Sequence, residues 1–173
     1  HALAGWTDFA GVAFAGVDPR TEEQFSHLSA LAGTGGAGAM WETDGWSCLG
    51  AQGAFGGMRV GNVEELELQV PIRIYRLELA ANTEGPGKWR GGFGVSVEIE
   101  PLGPIEVSTV GEGYEIVPPG RFEAANIAPE LRSVFTRFVR EADGSTREIG
   151  GGTVFSMDKG QVLVSRSTGG GGI

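Results

Sequence analysis

Cysteine and histidine are scarce in this sequence, which has one cysteine, Cys48, and two histidines, His1 and His27, in 173 residues. A single cysteine cannot form a disulfide within the chain, and zinc sites need clusters of cysteine and histidine that the sequence does not contain. No Gly-x-Ser-x-Gly motif of a serine hydrolase is present either. The sequence therefore predicts that this chain holds no metal site of its own and belongs to a reducing, cytoplasmic compartment.

Positive charge and long apolar runs are also in short supply. The 13 Lys and Arg residues face 22 Asp and Glu residues, for a formal net charge of −9. Binding to nucleic acid requires clustered basic side chains that neutralise phosphates, so this charge argues against a nucleic-acid partner. No apolar run approaches the roughly 20 residues that span a bilayer, and no basic segment opens a signal peptide. We expect a protein without membrane or nucleic-acid partners.

Glycine, in contrast, is abundant, with 31 residues in clusters rather than at a regular period. Clustered glycine indicates tight turns and places where two backbones approach closely. The segment Gly33–Ala39 suggests a phosphate-binding loop, but it lacks the Gly-Lys-Ser/Thr ending of that motif. We therefore expect an ordered glycine loop there.

Several segments alternate apolar and polar residues with the period of two that is typical of strands. Residues 9–17 form an apolar run that predicts a buried strand, whereas residues 21–31 are compatible with either a helix or a strand. The clearest strand covers residues 69–79. Residues 93–99 and 105–110 follow with a turn between them, which predicts an antiparallel meander.

Toward the end of the sequence, residues 134–140 and 146–149 flank Asp143-Gly144, a strong signal for a β-hairpin. Residues 161–165 predict a last short strand. The expected fold is mainly β, α+β at most, with antiparallel sheets and long glycine-rich loops. We expect one domain, in which residues 1–111 form the β core and residues 112–173 add a divergent hairpin and a glycine-rich tail.

Two motifs carry a resemblance to a known family. Glu64 and Glu67 are followed by Pro71, and the segment Gly85–Gly94 reads Gly-Pro-Gly-Lys-Trp-Arg-Gly-Gly-Phe-Gly. With the final run Gly169–Gly172, these motifs resemble the C-terminal part of the hydantoinase B/oxoprolinase family, which has the patterns E..E...P, SGG.GK.RGG.G and GGGG. The resemblance covers almost the whole chain.

The sequence departs from the family pattern at three places. Asn82-Thr83-Glu84-Gly85 stands where the family has Asp-Ser-Gly-Gly, so any role of that aspartate is in doubt. The family's PWGL.GG element is reduced to residues 118–122. Ile173 follows the final glycines in place of the family's Tyr-Gly. Because the sequence also begins at His1 rather than Met, we expect a C-terminal portion of a larger subunit.

The resemblance implies a function that this chain performs only within a hetero-oligomeric complex. Its partners would be a hydantoinase-A-like subunit, which binds ATP, and the N-terminal part of the hydantoinase-B-like subunit. ATP and a divalent metal are expected on those partner segments, with no cofactor bound by this chain. The leading hypothesis is ATP-dependent hydrolysis of a small cyclic amide such as a hydantoin, 5-oxoproline or a lactam. The alternatives are an ATP-dependent ketone carboxylase and a purely structural scaffold.

Five side chains are candidates for the site. Glu64 and Glu67 are candidate catalytic bases, although carboxylates that bind loop N–H groups or arginines are a good alternative. Lys88 and Arg90 are the best candidates for binding an anion, because the guanidinium fork matches phosphate and carboxylate and the flanking glycines allow close approach. An internal salt bridge that pins the glycine turn is the alternative for both residues. Asp44 is a further candidate at the same site, with an Asx turn as its alternative role.

Overall fold

The computed structural model of the protein describes residues 4–5, 10–31, 34–49, 61–111 and 136–173. Within these ranges the chain forms nine strands and one helix. Among the described residues, no helix is long and apolar enough to cross a membrane.

Two antiparallel sheets make up the fold. The first has four strands in the order β2-β1-β5-β8, which are β1 (Ala10–Val17), β2 (Gln24–Ser29), β5 (Ile105–Gly111) and β8 (Thr153–Met157). The second has five strands in the order β3-β4-β9-β6-β7, which are β3 (Ile72–Ala80), β4 (Gly94–Pro101), β6 (Thr136–Arg140), β7 (Thr146–Glu148) and β9 (Val162–Arg166). The mainly β, antiparallel fold expected from the sequence is confirmed.

One hydrophobic core joins the two sheets. Val12, Phe14 and Val107 come from the first sheet, and Ile99 and Leu163 come from the second, all of them almost fully buried. They alternate along their strands with residues that point away from the core, as a half-buried antiparallel sheet requires. The two sheets therefore stabilise each other by burying a shared apolar interior.

The strand predictions hold for most of the chain. Residues 10–17 are in β1, and the ambiguous segment 21–31 contains the strand β2. The hairpin of β6 and β7 forms as predicted, with Gly144 at φ +85° in its turn. Residue 9 and residues 134–135 lie outside the described residues. The strand β8 was not predicted from the sequence.

Two predictions were wrong. The strand expected from residue 69 begins at Ile72, because residues 63–69 form the helix α1 (Val63–Gln69) instead. The Asn62 side chain caps this helix by accepting hydrogen bonds from the N–H groups of Glu64 and Glu65, at 2.8 and 3.3 Å.

The predicted meander is also wrong in its third strand. β4 pairs with β3 and β9, whereas β5 passes into the other sheet and pairs with β1 and β8. Alternation shows which face of a strand is buried but not which strands are its neighbours, so the short turn between β4 and β5 was misread as a hairpin. As a result, strands after residue 135 complete both sheets.

Candidate functional site at the glycine-rich junction

Four segments that are far apart in the sequence meet beside the second sheet: residues 4–5, 34–47, 83–94 and 167–173. We call this region the glycine junction. Backbone hydrogen bonds connect the segments, including Gly92 N–H to Ala37 O at 2.8 Å and Gly170 N–H to Gly92 O at 3.0 Å. Trp89 and Ile173 exchange a reciprocal pair of bonds at 2.9 Å each. The four segments are thus held together by backbone hydrogen bonds outside the regular strands.

The glycines of this junction have a steric explanation. A Cβ atom at Gly91 would lie 1.8 Å from the carbonyl oxygen of Gly170, and one at Gly36 would lie 2.0 Å from that of Gly92. Such distances are far inside van der Waals contact, so only glycine allows these backbones to touch. The clustered glycines in the sequence therefore mark backbone-to-backbone packing, as predicted.

The segment 34–39 behaves as an ordered loop. The N–H groups of Gly36, Ala37 and Ala39 donate to protein carbonyls at 3.2, 2.8 and 2.9 Å. These donors are already used within the junction, so they do not form the open ring of N–H groups that binds phosphate. Gly33, the first residue of the predicted loop, lies outside the described residues.

Asp44 contacts the backbone of Arg90 at the surface of the junction, and Lys88 lies two residues earlier in the same segment. The Asp44 carboxylate accepts a hydrogen bond from the backbone N–H of Arg90 at 2.8 Å, and Gly45 N–H donates to the Arg90 carbonyl at 2.7 Å. The Lys88 ammonium lies 5.6 Å from the centre of the Trp89 ring. Both basic side chains are exposed, and neither makes an ion pair with a described residue. Asp44 therefore fixes the backbone while the two cations point into solvent.

Two polar atoms in the segment around Lys88 are buried without a hydrogen-bond partner among the described residues. They are Glu84 Oε2, in the segment that departs from the family pattern, and Trp89 Nε1. Buried polar groups are normally satisfied in folded proteins. Both residues are close to Lys88 in the sequence.

Glu64 and Glu67 lie on α1 and are not brought to the junction by any described contact. Glu64 is exposed in the first turn of the helix. The carboxylate of Glu67 accepts a hydrogen bond from Ile74 N–H at 2.6 Å, at the start of β3. Glu67 thus has the contact expected of its alternative role, a carboxylate that satisfies a backbone N–H group.

A cleft of about 280 Å³ lies beside α1 and the end of β2, and its lining includes His27, Asn62, Glu65 and Gln69. Sequence reasoning did not select Glu65 or Gln69, because the helix that carries them was not predicted. Gln69 donates a hydrogen bond to Glu65 at 3.3 Å. A search of the described residues finds no group of three or more His, Cys, Asp or Glu side chains that could hold a metal ion.

Comparison with known proteins identifies the family that has this fold and this glycine junction. The model of the hydantoinase B/oxoprolinase family matches residues 1–173, and the chain belongs to this family. The chain is 33% identical to the caprolactamase subunit beta of Pseudomonas jessenii over 176 residues, which is 99% of this chain and 30% of that protein. It is 28% identical to 5-oxoprolinase 1 of Arabidopsis thaliana over 151 residues, which is 87% of this chain and 11% of that protein.

Two solved structures share the fold of this chain. The crystal structure of the ATP-dependent caprolactamase from Pseudomonas jessenii matches with a TM-score of 0.80 at 28% identity, over 98% of this chain and 30% of that chain. The nucleotide-free structure of an acetone carboxylase matches with a TM-score of 0.61 at 16% identity, over 98% of this chain and 26% of that chain, and shares the fold alone. The chain thus spans less than a third of the length of each of these relatives.

Proposed function

We propose that this chain is the C-terminal part of the B-type polypeptide of an ATP-dependent cyclic-amide hydrolase and that it acts only within the assembled complex. The observation that carries the proposal is the 33% identity to the caprolactamase subunit beta along 99% of the chain. The shared fold, at a TM-score of 0.80, supports it. In the proposed net reaction, one ATP and two water molecules are consumed and one ring C–N bond is broken, giving ADP, phosphate and the ring-opened acid, which is an amino acid from a lactam and an N-carbamoyl amino acid from a hydantoin.

ATP is needed in this reaction because an amide carbonyl is a poor electrophile. Transfer of the γ-phosphoryl group to the amide oxygen makes the carbon more reactive toward water. One water adds to this carbon and the ring nitrogen leaves as the amine, and a second water then hydrolyses the resulting acyl phosphate to the carboxylate and phosphate. We propose that a hydantoinase-A-like subunit binds the ATP and that the divalent metal is held outside this chain. The requirement for ATP and the single free cysteine favour a cytoplasmic location.

Lys88 and Arg90 are the residues of this chain that we propose to contact an anion in the complex. Both are exposed on one turn, and the turn is anchored by the Asp44 hydrogen bond and by the junction behind it. A rigid backbone lets two flexible cations reach one phosphate or carboxylate group at a lower entropic cost than a mobile loop would. Asp44 then acts as a positioning residue.

For Glu64 and Glu67 we propose different roles. The Ile74 N–H bond commits one carboxylate oxygen of Glu67 to the start of β3, so this residue positions the strand. Glu64 has an exposed carboxylate at the beginning of α1 and is the better candidate for a general base that meets substrate carried by a neighbouring subunit.

The proposal is tested by assaying the complete B-type polypeptide and the A-like subunit, separately and mixed. The mixture should release ADP when caprolactam, 5-oxoproline or a hydantoin is added, and each polypeptide alone should not. ATP consumption with acetone or acetophenone plus bicarbonate, and not with the cyclic amides, would instead establish the ketone carboxylase. A mixture that responds neither to the cyclic amides nor to the ketones would favour the purely structural scaffold.

A further inference from the structure

The outer face of the four-stranded sheet contains a shallow trough. The strand register places Leu28, Ala13, Ser108 and Val154 side by side on β2, β1, β5 and β8. These residues alternate with core residues such as Phe14, so they point away from the core. Two small residues therefore form the floor of the trough and two larger aliphatic residues form its walls.

The walls are strongly exposed. Leu28 and Val154 retain 64% and 62% of their accessible surface. In the next row of the register, Ala15 continues the floor and Glu106 is the only charged residue of the two rows. A depression of about 390 Å³ lies at this end, lined in part by Ala15, Glu106 and Ser156.

The outer face of the five-stranded sheet is different. There, Glu98 forms ion pairs with Arg76 and Arg140 at 3.3 and 2.8 Å, and Tyr75 donates a hydrogen bond to Glu100. Charged, ion-paired side chains of this kind are typical of a sheet face that is in contact with water. The four-stranded sheet lacks such pairs among the outward residues of its two trough rows. The outer face of the five-stranded sheet therefore has the composition of a solvated surface. The outer face of the four-stranded sheet has the composition of an interface.

We infer that the trough is the docking site of an amphipathic α-helix from the remaining part of the hydantoinase-B-like polypeptide, an inference that rests on the assembly proposed above. β2 and β8 are three strand spacings apart, or about 14 Å. This distance suits an α-helix, which is about 10–12 Å wide with its side chains. Small residues on the floor would let the helix backbone approach the sheet.

The chemistry of the helix follows from the trough. Its inward stripe must be apolar to cover Leu28, Val154 and the alanines. It should also carry a Lys or Arg opposite Glu106, because an uncompensated carboxylate at an interface is costly. The relatives contain enough chain to supply this helix, since this chain covers only 30% of the caprolactamase subunit beta.

The direct test is photo-crosslinking in the complete B-type polypeptide mixed with its A-like subunit. Benzoylphenylalanine is placed at Ser156, which points outward beside Glu106, and, as a control, at Thr136 on the other sheet. We expect the probe at Ser156 to cross-link to one helical peptide of the B-type polypeptide outside residues 1–173, and the probe at Thr136 not to reach that peptide. Cross-links from Ser156 to residues 112–135, to the A-like subunit, to a second copy of this chain, or to no peptide at all would overturn the inference.

Substitutions give a second measurement. In the complete B-type polypeptide that carries the probe at Ser156, Ala13→Glu or the pair Leu28→Ser and Val154→Ser should lower the yield of the cross-link about tenfold or more. The matched controls are Ser96→Glu, at an outward position of the central strand β4, and Leu68→Ser, which removes an aliphatic side chain that is 79% exposed on α1. Circular dichroism of each complete polypeptide checks that the variants fold. Equal cross-link yields in the trough variants and the control variants would contradict the inference.

These measurements distinguish failure of the docking inference from failure of the proposed function. If the complex hydrolyses cyclic amides but Ser156 does not cross-link as expected, the docking inference fails and the function stands. If the cross-link forms in a complex that has no ATP-dependent activity on cyclic amides, the function fails and the docking site stands.

Discussion

The carboxylate of Asp44 accepts a hydrogen bond of 2.8 Å from the backbone N–H of Arg90, a residue 46 positions later in the chain. The side chain of Asp44 thus contacts the backbone of Arg90 and not its guanidinium. The guanidinium of Arg90 remains exposed. This geometry separates a residue that holds the turn from a residue that is available to a ligand.

Substitution of Asp44 should affect stability through this bond. Asp44→Asn retains an acceptor oxygen, whereas Asp44→Ala removes it and should lower the free energy of unfolding by about 1 kcal/mol. Urea denaturation measures the difference. If Asp44 contacted substrate through its charge, Asp44→Asn would abolish activity of the complex, and our account of a positioning role would be wrong.

Removal of the exposed cations should affect activity rather than folding. We expect Arg90→Ala to lower kcat/KM of the complex about 10- to 100-fold, with partial recovery in Arg90→Lys, because a charge-assisted contact with an anion is lost. Lys159→Ala, in the turn between β8 and β9, is the matched control for loss of one positive charge and should change kcat/KM less than about twofold. Unchanged kinetics in Arg90→Ala would remove Arg90 from the site.

The roles of Glu67 and Glu64 can be distinguished by amide substitutions. Glu67→Gln keeps an oxygen for Ile74 N–H and should leave activity nearly intact, whereas Glu67→Ala should cost about 1 kcal/mol of stability. Glu64→Gln should lower kcat without changing stability if Glu64 is a general base. The opposite pattern, with Glu67→Gln inactive and well folded, would reverse the two assignments.

The glycine junction makes a steric prediction. Gly91→Ala places a Cβ atom 1.8 Å from the backbone oxygen of Gly170, so we expect a loss of about 3 kcal/mol or complete misfolding. Gly152→Ala is the control, because no atom lies within 4 Å of its added Cβ, and it should change stability by less than about 0.5 kcal/mol. Similar melting temperatures for the two variants would show that the junction is not closely packed.

The pair of Asp18 and Arg20 should make stability depend on pH. The guanidinium of Arg20 donates hydrogen bonds to both carboxylate oxygens of Asp18, at 2.6 and 2.9 Å, and lowers the pKa of that carboxyl group. A lowered pKa in the folded state stabilises the protein above the unfolded value of about 3.9, and this contribution is lost as the pH falls through the folded pKa.

The expected result is a higher melting temperature for the wild type than for Asp18→Asn at about pH 6, with a difference that shrinks below about pH 4. Arg20 also donates to the Glu67 carbonyl at 2.6 Å, so the pair links the end of β1 to α1. A melting-temperature difference that is constant across this pH range would show that the ionised pair is not the cause.

Sequence reasoning identified most strands because alternation of apolar and polar residues directly reflects burial of one sheet face. It missed α1 because a helix of seven residues completes only two turns, too few for its apolar period to stand out. Asn62, followed by Glu64 and Glu65, was the available signal for a helix start. It also misplaced β5, since its neighbours β1 and β8 are distant in sequence.

The sequence suggested candidate residues for the site but not their contacts. The motif around Lys88 and Arg90 was visible in the sequence as a family resemblance, and the glycine clusters correctly indicated close backbone packing. No sequence pattern indicated that Asp44 would bind the backbone of Arg90, because that contact depends on how two loops cross in the folded junction. Sequence also gave no sign of the trough, whose residues come from four separate strands.

We propose that this chain serves an enzyme that couples ATP cleavage to the opening of a cyclic amide. The most direct measurement is the amount of ADP and of ring-opened amino acid formed in one sample of the complete complex with caprolactam, 5-oxoproline or a hydantoin. Our account predicts that both products appear together, in a ratio of about one to one as the proposed phosphoryl transfer requires. ADP release without ring opening, or ring opening that does not require ATP, would contradict it.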